Sequence, residues 1–279
     1  GARALAARHK DDPGLSINIA PHAPYSVTAE ALQASMRLAE ELDTTWQIHL
    51  SETEEERQNA IKEFGCSPVE YLAKLGCLNE RTIAVHCVAL SDRDIGLLAE
   101  SGASVVHCPV SNMRLGCGAS PVVKLLKAGI NVALGTDGAA SACSLSMFEQ
   151  MRTAGLIAKG FSQDPTELTV NQIIRMATIN GANALKLHCD VGSLAVGKLA
   201  DLAVIDMSQL VTMPVLDVLS NVIYAVEAQC VHQVWVSGSL VANIQQEKLL
   251  RPDRGKLLTK SNIMSWQNRV CEILRDDFN

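Results

Sequence analysis

Short apolar runs alternate with longer amphipathic stretches over the first two thirds of the chain. The apolar runs are rich in Val, Ile, Thr and Ala and are bounded by Gly, Pro or polar residues, which is typical of buried strands. Five such runs are predicted to be strands, at residues 15–20, 45–50, 81–87, 103–109 and 130–137. Strands that alternate with helices in this way predict an α/β fold built from repeated strand-helix units around a parallel sheet.

The intervening stretches carry helix start and stop signals. A helix is predicted to begin near Thr28, because Leu32, Met36 and Ala39 then share one face. Residues 67–70 (SPVE) form a capping box with proline at the first helical position. Further helices are predicted after residues 91, 120, 144 and 169.

The pattern changes after Gly181. Residues 192–206 and 231–241 are predicted to form strands with glycine turns, and the tail from Ser261 has helical spacing. We therefore predict three parts: a catalytic strand-helix domain at 1–188, a small β-sandwich portion at 189–245 and a helical tail at 246–279.

Each of the five predicted strands is followed by a residue that can do chemistry. In a strand-helix barrel, catalytic residues gather at the carboxyl ends of the strands, so these side chains are expected to share one pocket. They are His22, His49 with Glu52, His86, His107 and Asp137.

These residue types favour a hydrolytic site with a divalent metal. His49 and Asp137 are the candidate ligands, since imidazole nitrogen and carboxylate oxygen both bind zinc. A metal held in this way lowers the pKa of water to about 7. Glu52 lies three residues beyond His49, where it could move a proton from water to a leaving nitrogen. His86 could stabilise charge on the attacked carbon.

Each of these residues also has a purely structural interpretation. His49 could be a hydrogen-bonded core histidine, and Asp137 could cap a turn in Gly-Thr-Asp-Gly. Glu52 precedes three consecutive glutamates, which could form the solvated start of a helix. For His107 the structural interpretation is preferred, as a histidine that backs the pocket.

Composition narrows the class of protein. The 279 residues include 48% hydrophobic residues and carry a formal net charge of −6, so a basic surface for nucleic acid is not expected. No apolar stretch approaches the roughly 20 residues of a membrane helix, and we expect a soluble cytoplasmic protein. The nine cysteines contain no Cys-x-x-Cys pair and are predicted to be reduced core thiols, including Cys87, Cys108 and Cys143.

Five motifs resemble the amidohydrolase superfamily and, within it, the 5-methylthioadenosine/S-adenosylhomocysteine deaminases. They are residues 21–26 (PHAPYS), 49–53 (HLSET), 85–88 (VHCV), 107–112 (HCPVSN) and 135–141 (GTDGAAS). Residues 192–202 also match the family's return to its small β domain. The resemblance therefore covers nearly the whole chain and implies a (β/α)8 TIM barrel, of which the chain holds strands four to eight.

The resemblance also implies roles for single residues. His49 and Asp137 would bind one divalent metal, expected to be zinc, although iron and manganese accept similar ligands. Glu52 would be the proton shuttle, His86 a second catalytic residue and Asp137 also a proton acceptor. His22 and Glu52 would contact the substrate. The implied reaction is water attack on the adenine ring of 5-methylthioadenosine or S-adenosylhomocysteine, which releases ammonia and leaves the hypoxanthine analogue.

The chain departs from the family in one respect. Members carry a His-x-His pair on the first barrel strand, and no His-x-His occurs in these 279 residues. We therefore expect that strands one to three lie outside this sequence and that this chain alone has little activity. The open alternatives are a related enzyme acting on guanine or a chlorotriazine, and a non-catalytic barrel scaffold. The expected partner is a small nucleoside or heterocycle, without nucleic acid or membrane, and a homo-oligomer is possible.

Overall fold

The computed structural model describes residues 1–10, 12, 14–243 and 248–249, the last two by their backbone alone. The chain divides into two compact units. The first comprises Gly1–Ser193 with Val222–Tyr224, and the second comprises Leu194–Asn221 with the described residues from Ala225 onward. The predicted boundaries at 188/189 and 245/246 stay predictions, and the predicted terminal helix lies outside the described residues.

Strands and helices alternate through the first unit. Its strands are β1 (Trp46–Leu50), β2 (Thr82–His86), β3 (Ser104–His107) and β4 (Val132–Leu134). Its helices are α1 (Ala2–Arg8), α2 (Ala29–Glu41), α3 (Glu54–Phe64), α4 (Pro68–Lys74), α5 (Asp92–Ser101), α6 (Pro109–Arg114), α7 (Val122–Lys127), α8 (Ala139–Ala142), α9 (Met147–Ser162), α10 (Val170–Ala177) and α11 (Ile179–Ala184).

The four strands form one parallel sheet in the order β1-β2-β3-β4. Alternate residues of β1 face the helices, where Trp46, Ile48 and Leu50 are buried in the main core. On the opposite face, Ile83 and Val85 of β2 pack in a second, smaller cluster with Cys108. Burial of each large aliphatic side chain contributes about 1.5–3 kcal/mol, so this two-sided packing fixes the register of the sheet.

The predicted helix boundaries are largely confirmed. Thr28 caps α2, whose buried residues are the predicted Leu32, Met36 and Ala39. Ser67 and Glu70 form the expected capping box at the start of α4. Similar boxes begin α5 and α10 at Ser91 and Thr169. In each case the cap satisfies backbone N–H groups that the first helical turn leaves without partners.

The first predicted strand, at 15–20, is mostly wrong. Only Ile19 forms a β-bridge, which is parallel and pairs it with Trp46. Two further bonds extend the pairing, because Gln47 N donates to Ile19 O at 2.9 Å and His49 N donates to His22 O at 3.1 Å. Leu15 is exposed, so no core packing fixes the start of the run. The segment nevertheless runs along β1 and delivers His22 to its carboxyl end.

The second unit contains an antiparallel sheet, as the glycine turns predicted. Its strands are β5 (Leu202–Ile205), β6 (Val231–Val236), β7 (Ser239–Asn243) and β8 (Lys248–Leu249), in that order across the sheet. Ser237 and Gly238 join β6 to β7 and both have positive φ, 49° and 75°. This is the two-residue turn that suits a twisted hairpin, and glycine tolerates the conformation without strain. A helix, α12 (Val218–Tyr224), precedes the hairpin.

Cysteine burial is confirmed in part. Cys87 and Cys108 are buried free thiols, and burial raises the pKa of Cys108 to about 12. Cys143 is exposed, because it follows the four-residue helix α8 in a left-handed turn and does not pack in the core. Across the described part of the chain, no helix combines the length and apolar character needed to cross a membrane.

Candidate active site

Three histidines lie side by side at one end of the parallel sheet. The rings of His22 and His49 are 5.1 Å apart between centroids, and those of His49 and His86 are stacked at 5.4 Å. The Nδ1–H of His49 donates to the backbone oxygen of His22 at 2.8 Å, since a carbonyl only accepts. That bond fixes the tautomer and leaves Nε2 of His49 as a lone-pair donor, the state a metal ligand requires.

His86 is fully buried and oriented by a neighbouring amide. Its Nδ1 bonds to Oδ1 of Asn112 at 2.8 Å, which places the proton on Nδ1. Nε2 then faces the carboxylate of Glu52, with 3.8 Å to Oε1. His86 and Glu52 are therefore within reach of one small molecule or one shared water.

Glu52 is half-buried and its carboxylate has a second neighbour. The thiol of Cys117 donates to Oε1 of Glu52 at 3.5 Å. Burial first, then the negative charge of Glu52, raises the pKa of Cys117 to about 11, so the thiol stays protonated and remains a donor. Sequence reasoning gave Cys117 no role, since an isolated Gly-Cys-Gly carries no chemical signature.

Asp137 follows β4 and is held as a carboxylate. Ser111 Oγ donates to Oδ2 at 2.7 Å, and the backbone N–H of Gly138 donates to Oδ1 at 2.7 Å. Partial burial alone would raise the pKa of Asp137, but these bonds and the nearby His86 outweigh it and lower the pKa. Ionised aspartate is the form that accepts protons or binds a metal.

Helix α6 provides hydrogen-bond partners for both Asp137 and His86. Its neighbouring residues Ser111 and Asn112 are both fully buried and bond to Asp137 and His86, respectively. Both residues lie within the HCPVSN motif, but the sequence alone suggested no function for them. The signal that could have found them is a polar Ser-Asn pair where burial calls for apolar residues, because buried polar groups need partners.

The backbone at these strand ends is unusual. Residues with positive φ follow or end β1, β2 and β4: Ser51 at 51°, His86 at 76°, Cys87 at 50° and Asp137 at 59°. Such conformations cost of order 1–3 kcal/mol each for residues with a side chain and persist only when the surrounding structure imposes them. Two of these four residues, His86 and Asp137, are predicted to act, and Ser51 directly precedes Glu52.

His107 lies outside this group, as the sequence analysis preferred. It is fully buried and, among the described residues, no partner bonds to its Nδ1. Burial first, then the adjacent His86, lowers the pKa of His107 to about 3, so the ring is neutral. The exposed His22 bonds through Nδ1 to Ser26 at 2.6 Å and stands at the open end of the histidine row.

The side chains gathered here include some of the ligands that a metal site needs. His49 has the tautomer of a ligand, and Asp137 is an ionised carboxylate. A catalytic zinc uses about three protein ligands, whereas no group of three or more His, Cys, Asp or Glu in the described residues is arranged to hold a metal. The described donors therefore match the chemistry of a divalent metal but not the number of ligands it needs. Little activity of this chain alone stays a prediction.

The chain belongs to the amidohydrolase family, whose profile matches residues 2–241. This confirms the resemblance found in the sequence. Among relatives within it, the chain is 44% identical to a 5-methylthioadenosine/S-adenosylhomocysteine deaminase from Teredinibacter turnerae over 262 residues, which are 94% of this chain and 58% of that protein. It is 41% identical to a 5'-deoxyadenosine deaminase from Methanothermobacter thermautotrophicus over 82% of this chain and 53% of that protein.

A solved structure shows the same likeness in three dimensions. An adenosine deaminase from Xanthomonas campestris with bound zinc superposes with a TM-score of 0.89 at 38% identity, covering 97% of this chain and 61% of that one. The fold class, part of a TIM barrel with parallel strands, is thus confirmed. The chain spans little more than half the length of the curated relatives it matches.

Proposed function

We propose that this chain supplies the proton-transfer groups of a hydrolytic deaminase that acts on adenine-type nucleosides, with 5-methylthioadenosine and S-adenosylhomocysteine as preferred substrates. The observation that carries the proposal is the placement of Glu52 Oε1 at 3.8 Å from His86 Nε2, with the ring of His49 stacked on that of His86. A carboxylate next to an imidazole is suited to moving one proton between water and a leaving nitrogen.

Each residue has a defined task in this proposal. Glu52 takes a proton from the attacking water and delivers it to the amino nitrogen, which leaves as ammonia. His86, held in place by Asn112, steadies the attacking oxygen through Nε2. Asp137 accepts the second proton of the water as the ring carbonyl forms and returns it to the adjacent ring nitrogen, which completes the hypoxanthine analogue.

His49 and Asp137 would hold the metal, together with ligands outside the described set. When bound, a divalent metal lowers the pKa of water toward neutrality, which makes hydroxide available at physiological pH. Relatives named as deaminases of 5-methylthioadenosine, S-adenosylhomocysteine and 5'-deoxyadenosine support an adenine ring with an altered 5' position as the substrate.

Ammonia release by the full-length gene product tests the proposal with the amino-bearing purine substrates, and chloride release tests it with the chlorotriazine. The substrates are 5-methylthioadenosine, S-adenosylhomocysteine, 5'-deoxyadenosine, adenosine, guanine and a chlorotriazine. We expect the highest kcat/KM with the two thioether nucleosides. Turnover of guanine or the triazine, without ammonia from any adenine nucleoside, would reject the proposed substrate class, and no turnover of any substrate would favour a scaffold.

A further inference from the structure

Of the three glutamates at residues 54–56, one differs from the other two in burial and contacts. Glu54 and Glu55 are exposed, and Glu54 forms a surface ion pair with Arg57 at 2.8 Å. Glu56 instead turns back toward β1 and is half-buried. Its Oε1 accepts from the backbone N–H of Ser51 at 2.9 Å, and its Oε2 accepts from that of Glu52 at 2.6 Å.

These two bonds fix the backbone that presents the Glu52 side chain. Ser51 is fully buried with a positive φ of 51°, a conformation that serine does not favour by itself. Its carbonyl oxygen accepts from the N–H groups of Val88 and Ala89 at 2.9 Å each, in the loop just after His86. Ser51 is thus held from one side by Glu56 and from the other by the loop that follows His86.

Glu56 is itself anchored. Thr53 caps α3 by accepting from the backbone N–H of Glu56 at 3.0 Å, which places Glu56 in the first helical turn. Both carboxylate oxygens accept a backbone hydrogen bond. Burial raises the pKa of Glu56, while the backbone N–H groups of Glu52 and Ser51 act in the opposite direction. A partly buried carboxylate kept in this position needs both backbone donors to offset its desolvation.

We infer that Glu56 is a positioning residue, whose carboxylate clamps the backbone of Ser51 and Glu52 so that the Glu52 carboxylate faces His86. The inference rests on the proposed function in one respect only, the role of Glu52 as proton shuttle. Glu56 has no contact of its own with His86 or Asp137 among the bonds described. Its carboxylate bonds to the backbone of Ser51 and Glu52, so we expect its effect on catalysis to be transmitted mainly through Glu52.

The test combines Glu56→Gln with the matched control Glu55→Gln, which removes a charge from an exposed neighbour. In Glu56→Gln the side-chain amide turns N–H groups toward one of the two backbone donors, so one bond is lost. We expect hydrogen exchange of the Ser51 and Glu52 amides in this chain to quicken at least about tenfold, with the amides of β3 unchanged. Unchanged exchange at both amides would overturn the clamp.

Kinetics of the full-length gene product separate positioning from general stability. Glu56→Gln is expected to lower kcat about 10–100-fold with KM changed less than about threefold, because misplacing a catalytic group by about 1 Å has that effect. In a Glu52→Gln background the same change should reduce kcat less than about twofold further. An equal loss in both backgrounds would mean that Glu56 acts by another route and would overturn the inference.

Two further outcomes are distinguishable. If Glu52→Gln alone leaves deamination unchanged, the proposed function fails, while the exchange experiment still reports on the clamp. If Glu56→Gln does not fold, Glu56→Asp keeps the charge and shortens the reach by one methylene. Wild-type exchange rates at Ser51 and Glu52 in that folded variant would equally overturn the inference.

Discussion

The ends of β2 and β3 both carry a buried histidine, yet only one of them belongs to the site. His86 has a positive φ of 76° that turns its ring toward Glu52, and Asn112 orients it. His107 is followed by Cys108 at φ −114°, whereas Cys87, the residue after His86, has a positive φ of 50°. These differences in backbone turn and hydrogen-bond acceptor are why His86 is predicted to act and His107 is not.

The largest effect is expected from removing the carboxylate that His86 faces. Glu52→Gln keeps the size of the side chain but cannot carry a proton, so kcat should fall about 10²–10⁴-fold with little change in KM. Steady-state kinetics of the full-length gene product with 5-methylthioadenosine measure it, with Glu55→Gln as the control. A loss of less than tenfold would exclude Glu52 as the proton shuttle.

A smaller effect is expected from removing the acceptor that distinguishes His86 from His107. Asn112→Leu leaves Nδ1 of His86 without its partner, so the ring loses its fixed tautomer and orientation. Loss of such a supporting hydrogen bond typically lowers activity by roughly 10–100-fold. Met113→Leu, in the same helix, is the control and should retain near wild-type kcat/KM. Equal activity of the two variants would show that Asn112 does not orient His86.

Replacing His107 is expected to have the smallest effect on catalysis but a measurable effect on the free energy of unfolding. Its pKa is about 3 in the folded chain and near 6.5 when unfolded, so only the unfolded state binds a proton between these values. The stabilising effect of the neutral ring is complete above pH 6.5 and is lost as pH falls toward 3, by at most about 1.4 kcal/mol per pH unit.

Urea unfolding at pH 6.5 and pH 4.5 checks this dependence. His107→Leu should flatten the loss of unfolding free energy over that interval, because no buried imidazole remains to be protonated. A slope that His107→Leu does not change would show that the buried ring is not neutral.

Much of the fold could be predicted because the signals for its helices and strands lie in the local sequence. The capping boxes at Ser67 and Ser91 and the alternation in β1 and β2 lie within a few residues of the elements they define. The run at 15–20 failed because its strand character depends on pairing with β1 and not on its own composition. Helix α6 was missed because its six residues are too few for helical periodicity.

The positions of the candidate site residues could be predicted from the sequence, but the residues that hydrogen-bond to them could not. Placing polar residues at strand ends found His49, Glu52, His86 and Asp137, which the structure gathers at one edge. The residues that orient them could not be found in this way, since Asn112 and Glu56 act through contacts set by the fold. Glu56 in particular is indistinguishable in sequence from the exposed glutamates beside it.

One experiment tests the central claim directly: kcat/KM for 5-methylthioadenosine in His49→Asn, His86→Asn and His107→Asn variants of the full-length gene product. Asparagine reproduces the Nδ1 position and lacks Nε2, so the first two variants keep their orienting bonds and lose the acting atom. We predict losses of at least about 100-fold for His49→Asn and His86→Asn and less than about threefold for His107→Asn. A folded His107→Asn as impaired as His86→Asn, or a His86→Asn near wild type, would contradict the account.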